Sequence, residues 1–378
     1  MRIVHVINSL AIGGREKVVI ELCNEMAEKH EVTIITLSNN NNSQVNNLNS
    51  KIDLIELPFG AGLLGMIKLW VFGYFSLVGI LRKISPEIIH NHLYYHFYLL
   101  IALVNRKVKS NSFRTVHTSG LFYTNQNLIN NFRLWLEKVA TKIDKPNMVS
   151  ISRAIFNNNE QHFKSLYSRN RYIPNGIDFA ELERRTLKFD RIDYSINVDD
   201  FVGVYVARFD SGKNHSMIIE VVEELRRLNY NVKFLFVGDG VLREEFEKMI
   251  NDKNLQQHIL LTGFTSNVGS FLRLSDFAVF PSEFEGFPLS LIEKMYYKLP
   301  VVASNIDVFL EVIADNVNGL IFHLDDPIEF RDKIIFLYNN RTELKLMGEN
   351  AKESALAFDV KNVAQDTLNY YNLVCDVN

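Results

Sequence analysis

The segment Pro281-Ser282-Glu283-Phe284-Glu285-Gly286-Phe287-Pro288-Leu289-Ser290-Leu291-Ile292-Glu293 sets two acidic side chains around the start of a helix. The apolar run Phe277–Phe280 comes directly before it, so the segment reads as a turn from a strand into a helix. Pro288 suits the first helical position. The N–H groups of Leu289, Ser290 and Leu291 would then point out of the helix end, where exposed donors and the positive end of the dipole bind phosphate. Two carboxylates beside an anion site would weaken it unless they have another task. Accepting hydrogen bonds from neighbouring hydroxyls of a sugar is such a task for Glu285 and Glu293. An ordinary helix start with two surface glutamates fits the same residues.

A second constellation strengthens the first. Val206-Ala207-Arg208-Phe209-Asp210-Ser211-Gly212-Lys213 ends another strand and brings two cations to its carboxyl edge. Arg208 and Lys213 together would neutralise a diphosphate, although each alone would more often be a solvated surface charge. Val237-Gly238-Asp239-Gly240 reads as a tight strand-to-helix turn and is no dinucleotide fingerprint, because Arg243 stands at the third glycine position. Thr262, Gly263 and Phe264 lie at a further strand end and suit approach to a flat base. Nearer the N-terminus, Gly13 and Gly14 follow the first strand and let a ligand approach the backbone closely. His117 closes a strand in Thr115-Val116-His117-Thr118-Ser119-Gly120, where it would hydrogen-bond a sugar hydroxyl or transfer a proton. His90, His92 and His96 invite a zinc reading, but no cysteine or acid joins them at structural-site spacing, so no metal is expected.

These residues need a scaffold. Strand patterns at Arg2–Asn8, Val32–Leu37, Glu87–His92 and Phe113–His117 alternate with helical ones, beginning with Glu16–Lys29. After Ile173-Pro174-Asn175-Gly176-Ile177-Asp178, a second series runs through Phe201–Ala207, Val232–Val237, His258–Leu261, Phe277–Phe280 and Val301–Ala303. Such alternation implies parallel sheets covered on both faces. The fold class is therefore α/β, with two doubly wound Rossmann-like domains facing across a cleft. Residues 1–175 form the first domain, 176–358 the second, and 359–378 a final helix.

Composition narrows the partners. The chain of 378 residues carries 41 Lys+Arg against 44 Asp+Glu, a net charge of −3, so no global field holds a nucleic acid. With 47% hydrophobic residues it is not disordered, and its two cysteines fit a reducing compartment. No signal peptide is visible after Met1-Arg2, which points to the cytoplasm. From Gly60 to Leu81 the only charge is Lys68. Its glycines and central lysine argue against a membrane span, leaving a buried helix or one that lies in an interface with anionic headgroups.

In order and spacing these motifs resemble the retaining GT-B glycosyltransferases of family 4, which include bacterial capsule, exopolysaccharide and lipopolysaccharide sugar transferases. The resemblance rests on Gly13, Gly14 and Glu16, on His90 and His92, on the Ile-Pro-Asn-Gly-Ile-Asp crossover, on Arg208 and Lys213, on Gly238, and on Glu285 with Glu293. Pro288 and the Lys294-Met295-Tyr296-Tyr297 run depart from the family pattern, which has glycine at the first position and small residues at the second. The resemblance implies transfer of a hexosyl or N-acetylhexosaminyl group from a nucleotide-diphosphate donor, by default a UDP-sugar, with retention and without an essential metal or other cofactor. It assigns the donor to Arg208, Lys213, Gly238, Thr262, Gly263, Phe264, Glu285, Gly286, Phe287, Pro288, Leu289, Ser290 and Glu293, with Gly13, Gly14 and His117 completing that site. Acceptor contacts fall to the first domain, at Glu16 and His92, and the last helix crosses back onto that domain. The acceptor is expected to be a saccharide or lipid-linked oligosaccharide, met by an enzyme peripheral on the inner face of the cytoplasmic membrane. An epimerase of similar fold and an inactive saccharide-binding homologue are the alternatives.

Overall fold

The computed structural model describes residues 1–39, 42–59, 68–117 and 128–376, and the chain divides into two compact units. Unit 1 comprises Met1–Ile177 together with Val360–Asn378, and unit 2 comprises Asp178–Asp359.

Unit 1 is built on seven parallel strands: β1 (Arg2–Ile7), β2 (Glu31–Thr36), β3 (Asp53–Glu56), β4 (Ile88–Asn91), β5 (Asn111–Val116), β6 (Asn147–Ser150) and β7 (Arg169–Tyr172). Their order is β3-β2-β1-β4-β5-β6-β7. Side chains alternate across the sheet, so β1 sends Ile3 and Ile7 to one core and Val4 and Val6 to the other. The first core includes Val363, Tyr370 and Tyr371 of the helix Val360–Cys375, which is why the end of the chain belongs to this unit. The second is closed by Leu77 and Leu81 of the helix Tyr74–Ile84 and by Ile101 of the helix Tyr98–Val108.

Unit 2 holds six parallel strands: β8 (Phe201–Val206), β9 (Val232–Val237), β10 (Ile259–Gly263), β11 (Phe277–Phe280), β12 (Val301–Ser304) and β13 (Gly319–Phe322). They run β10-β9-β8-β11-β12-β13. In both sheets the strand order reverses beside the first strand, between β1 and β4 and between β8 and β11. Open α/β sheets bind ligands outside the carboxyl ends of the strands at such a reversal.

The sequence pattern missed β3, β6, β7 and β13, each only four residues long. Of the apolar stretch, residues 60–67 lie outside the described residues, as do Thr118, Ser119 and Gly120. Leu69–Gly73 forms a wide π-type turn leading into the helix Tyr74–Ile84. Among the described residues no helix is long and apolar enough to cross a membrane.

Candidate active site

In unit 2 the loops leaving β8 and β11 are laced together at the strand-order reversal. Lys213 Nζ donates to Glu285 Oε1 at 2.6 Å, and Ser282 Oγ donates to the same oxygen at 3.1 Å. Tyr205, buried near the end of β8, donates its hydroxyl to the Lys213 carbonyl at 2.7 Å. Asn214 Nδ2 donates to the Pro281 carbonyl at 3.0 Å, the Glu283 N–H to the Gly212 carbonyl at 3.1 Å, and Ser304 Oγ to the Ser282 carbonyl at 2.7 Å. A cation and a carboxylate are thus fixed together, both largely shielded from solvent. Arg208 stands at the same edge, its side chain 78% exposed and its Nε 2.8 Å from Asp210 Oδ2. Both expected diphosphate cations therefore already have carboxylate partners.

The helix start departs from its expected form. Pro288 sits one position earlier than its sequence context suggests, capping a helix that begins at Leu289. The Leu289 N–H turns back to the Phe287 carbonyl and the Leu291 N–H to the Pro288 carbonyl. Of the three donors expected to point outward, only the Ser290 N–H has no partner among the described residues. Pro288 itself lies outside the helical region, at φ −86° and ψ 81°, with its own carbonyl and that of Phe287 accepting these bonds. Glu293 lies in the next turn and is 8% exposed.

Lys294, where the family pattern has a small residue, is completely buried, and its Nζ has no hydrogen-bond partner among the described residues. It lies 3.8 Å from the centre of the Phe280 ring. Burial pulls its pKa down to about 7, against the opposing pull of Glu293 and Glu285. A helical side chain leans toward the helix N-terminus, which explains how residue 294 senses the charge of Glu285.

Gly238 occupies φ +150°, and a Cβ there would lie 2.0 Å from the Ala207 carbonyl oxygen. Its N–H bonds Gly263 O at 3.1 Å, which joins the ends of β9 and β10. Thr262 Oγ1 is spent on local carbonyls, whereas Phe264 is 67% exposed beside it.

In unit 1, Gly13 caps the helix Gly14–Met26, and Glu16 lies in its first turn next to Arg15. Glu16 is 9% exposed. His117 follows β5, and its Nε2 lies 3.1 Å from His92 Nδ1. His92 Nε2 in turn lies 3.0 Å from His5 Nδ1. The expected acceptor contact of His92 does not fit this arrangement, because the side chain is buried and both ring nitrogens are occupied. His90 is equally enclosed, by Tyr371 OH at 2.5 Å and Thr115 Oγ1 at 2.7 Å. Burial depresses the pKa of all four histidines, to about 3 for His5 and His117 and well below the ordinary value for His90 and His92. Nitrogens of His5, His90 and His92 lie within 4.8 Å of one another, whereas His96 packs elsewhere, against Tyr94 and Phe97. His5 was not among the expected site residues. Its register opposite His90 on β4 is the signal, and a single sequence does not reveal register.

Residues 12–181 match the model of Glycosyltransferase Family 4, and residues 188–354 match that of glycosyl transferases group 1. A Campylobacter jejuni N-acetylgalactosamine-N,N'-diacetylbacillosaminyl-diphospho-undecaprenol 4-alpha-N-acetylgalactosaminyltransferase is 26% identical over 96% of this chain and 97% of its own length. An uncharacterized glycosyltransferase of Methanocaldococcus jannaschii is 27% identical over 79% of this chain and 78% of its own. The fold is that of Anabaena Alr3699/HepE, solved in complex with UDP, with a TM-score of 0.82 at 15% identity, covering 98% of this chain and 99% of that one.

Proposed function

Since this chain belongs to glycosyltransferase family 4, we propose that it transfers a hexosyl or N-acetylhexosaminyl group from a UDP-sugar, with retention, onto a saccharide or lipid-linked saccharide in surface-polysaccharide synthesis. The observation that carries this reading is the Lys213–Glu285 pair held where the strand order of unit 2 reverses. Breaking the sugar–phosphate bond develops negative charge on the departing diphosphate. Lys213 and Arg208 offset that charge, with the Ser290 N–H as a further donor. Glu285, anchored by Ser282 and Lys213, accepts from donor-sugar hydroxyls, and Glu293 from the ribose. His117 hydrogen-bonds a sugar hydroxyl. The acceptor proton passes to the leaving phosphate, since loss of solvent around His117 lowers its basicity.

The Campylobacter relative is named for a diphospho-undecaprenol acceptor, which supports a lipid-linked acceptor here. The surface of unit 1 supports a membrane-facing role. Phe72 and Phe75 are 62% and 72% exposed, and Phe132 and Trp135 stack in the open on the helix Leu128–Asp144. Exposed Lys68, Arg82, Lys83, Arg106 and Lys107 accompany them, which suits an anionic interface. Trp70, in contrast, packs against the core and is not part of this face.

Thermal denaturation with UDP and a panel of UDP-sugars tests the donor assignment. A ligand at about 100 times its Kd stabilises by about 2.7 kcal/mol, a shift of several degrees. The shift is expected in the natural protein and is lost in Lys213→Ala. Absence of any UDP or UDP-sugar shift, or an equal shift in Lys213→Ala and Arg208→Ala, refutes the assignment.

A further inference from the structure

We infer that His5 and His92 are positioning residues that decide which nitrogen of His117 carries its proton, leaving His117 Nδ1–H as a hydrogen-bond donor. The use of that donor rests on the proposed sugar contact of His117, but the arrangement itself does not.

Three neighbouring strands build the chain of rings. His5 lies within β1, His92 directly follows β4 with its N–H on the Val6 carbonyl at 2.9 Å, and His117 directly follows β5. The His5 and His92 ring centroids are 5.2 Å apart, and those of His92 and His117 5.4 Å. Each separation exceeds the corresponding N···N distance by about two ring radii, so the nitrogens meet head-on. Lone pairs that share a metal ion would converge on a point away from that line; these point at one another, as N–H and acceptor do.

Burial of His5 and His92 and partial burial of His117 keep the rings neutral, so each has one N–H and one lone pair. Two such bonds in series must therefore run in the same direction. If His117 donated to His92 and His92 to His5, the proton left at the end would sit on His5 Nε2. That atom is buried and has no partner among the described residues. An orphaned buried N–H is rarer and costlier than an unused acceptor. The favoured direction is the reverse: His5 Nδ1–H donates to His92 Nε2, and His92 Nδ1–H donates to His117 Nε2. His117 must then hold its proton on Nδ1. It offers a donor to a sugar oxygen and has no free basic nitrogen. His90 does not compete for these bonds, because Tyr371 and Thr115 occupy both its nitrogens.

Long-range 1H–15N correlation spectra of protein labelled with [15N]histidine test this without substrate, so the outcome is independent of whether the protein transfers sugar. The His117 signals are assigned by their loss in His117→Asn. Expected is a neutral His117 protonated at Nδ1. In His92→Phe, which keeps the ring bulk and removes both nitrogens, the Nε2–H form should appear. Nε2–H in the natural protein overturns the proposal, and so does a spectrum unchanged by His92→Phe. Stoichiometric zinc binding with loss of the His5 and His92 N–H signals overturns it as well. If His92→Phe does not fold, the spectrum of the natural protein still decides. In turnover, His92→Phe and His117→Asn should each cost about tenfold, and the double variant no more than either alone. Independent, multiplying losses contradict the coupling.

Discussion

Lowering the pH from 7.5 to 5.5 should melt unit 1 well before unit 2. Four histidines of unit 1, the fully buried His5, His90 and His92 and the partly buried His117, have folded-state pKa values depressed by loss of solvent, to about 3 where the shift is sized. An exposed histidine in the unfolded chain titrates near about 6.5. The unfolded chain therefore takes up protons first, and the stability these rings confer is intact above that value. It is lost as the pH falls from about 6.5 toward 3. At pH 5.5 an unfolded histidine is about nine-tenths protonated, which favours unfolding by about 1.4 kcal/mol per ring. Four rings give about 5–6 kcal/mol, comparable with the whole stability of many domains, about 5–15 kcal/mol. For units of this size, 1 kcal/mol moves Tm by roughly 2–4 °C, so unit 1 should lose on the order of 10–20 °C. Unit 2 has one comparable ring, His215, held at about 3 by burial, and should lose only about 3–6 °C. Exposed His323, raised by Glu329, acts in the opposite direction. The chain has two tryptophans, Trp70 and Trp135, and both lie in unit 1. Tryptophan fluorescence thus follows unit 1, and far-ultraviolet circular dichroism follows both units. A fluorescence midpoint that moves by less than about 5 °C between the two pH values would refute the reasoning.

Three further outcomes are expected. Lys294→Met removes a buried amine that has no acceptor among the described residues and should raise the Tm of unit 2 at pH 7. The gain should fade toward pH 10, where the lysine is neutral when folded and increasingly so when unfolded; destabilisation at pH 7 would mean that the amine has a stabilising partner. Gly238→Ala forces a Cβ onto the Ala207 carbonyl at positive φ and should cost at least about 2 kcal/mol in denaturant melts, whereas an unchanged midpoint contradicts the geometry. Replacing Phe75, Phe132 and Trp135 by glutamate should abolish sedimentation with anionic phosphatidylglycerol vesicles while leaving the Tm within a few degrees. Sedimentation unchanged by the substitutions excludes this face from docking.

Much of the scaffold was readable from pattern. The runs of β8, β9, β11 and β12 are buried on both faces, so their sequences are almost continuously apolar and easily seen, whereas β2, β4 and β5 carry polar residues among fewer apolar ones. The missed strands are short, and three of them, β3, β7 and β13, are sheet edges. Arg169–Tyr172 is only half-buried and carries two arginines, so no hydrophobic pattern marks it. The helix start at Pro288 was placed within one residue, but the fate of its N–H groups depended on the backbone geometry of the Phe287–Pro288 turn, which residue type does not fix.

Residue types and order determined the family, the two parallel sheets, and the arrival of Arg208, Lys213 and Glu285 at strand ends. Those features depend on local turn chemistry and hydrophobic period, which a linear sequence carries. Only the tertiary structure decided what touches what. Lys213 and Glu285 lie 72 positions apart and meet because β8 and β11 are neighbours in the sheet. His5, His92 and His117 join only because β1, β4 and β5 lie side by side in one register. Lys294, an ordinary surface residue by type, became a buried amine with no hydrogen-bond partner among the described residues because its helix turns that face onto Phe280. Register and packing arise from contacts summed over the whole sheet, so no local window of sequence could have specified them.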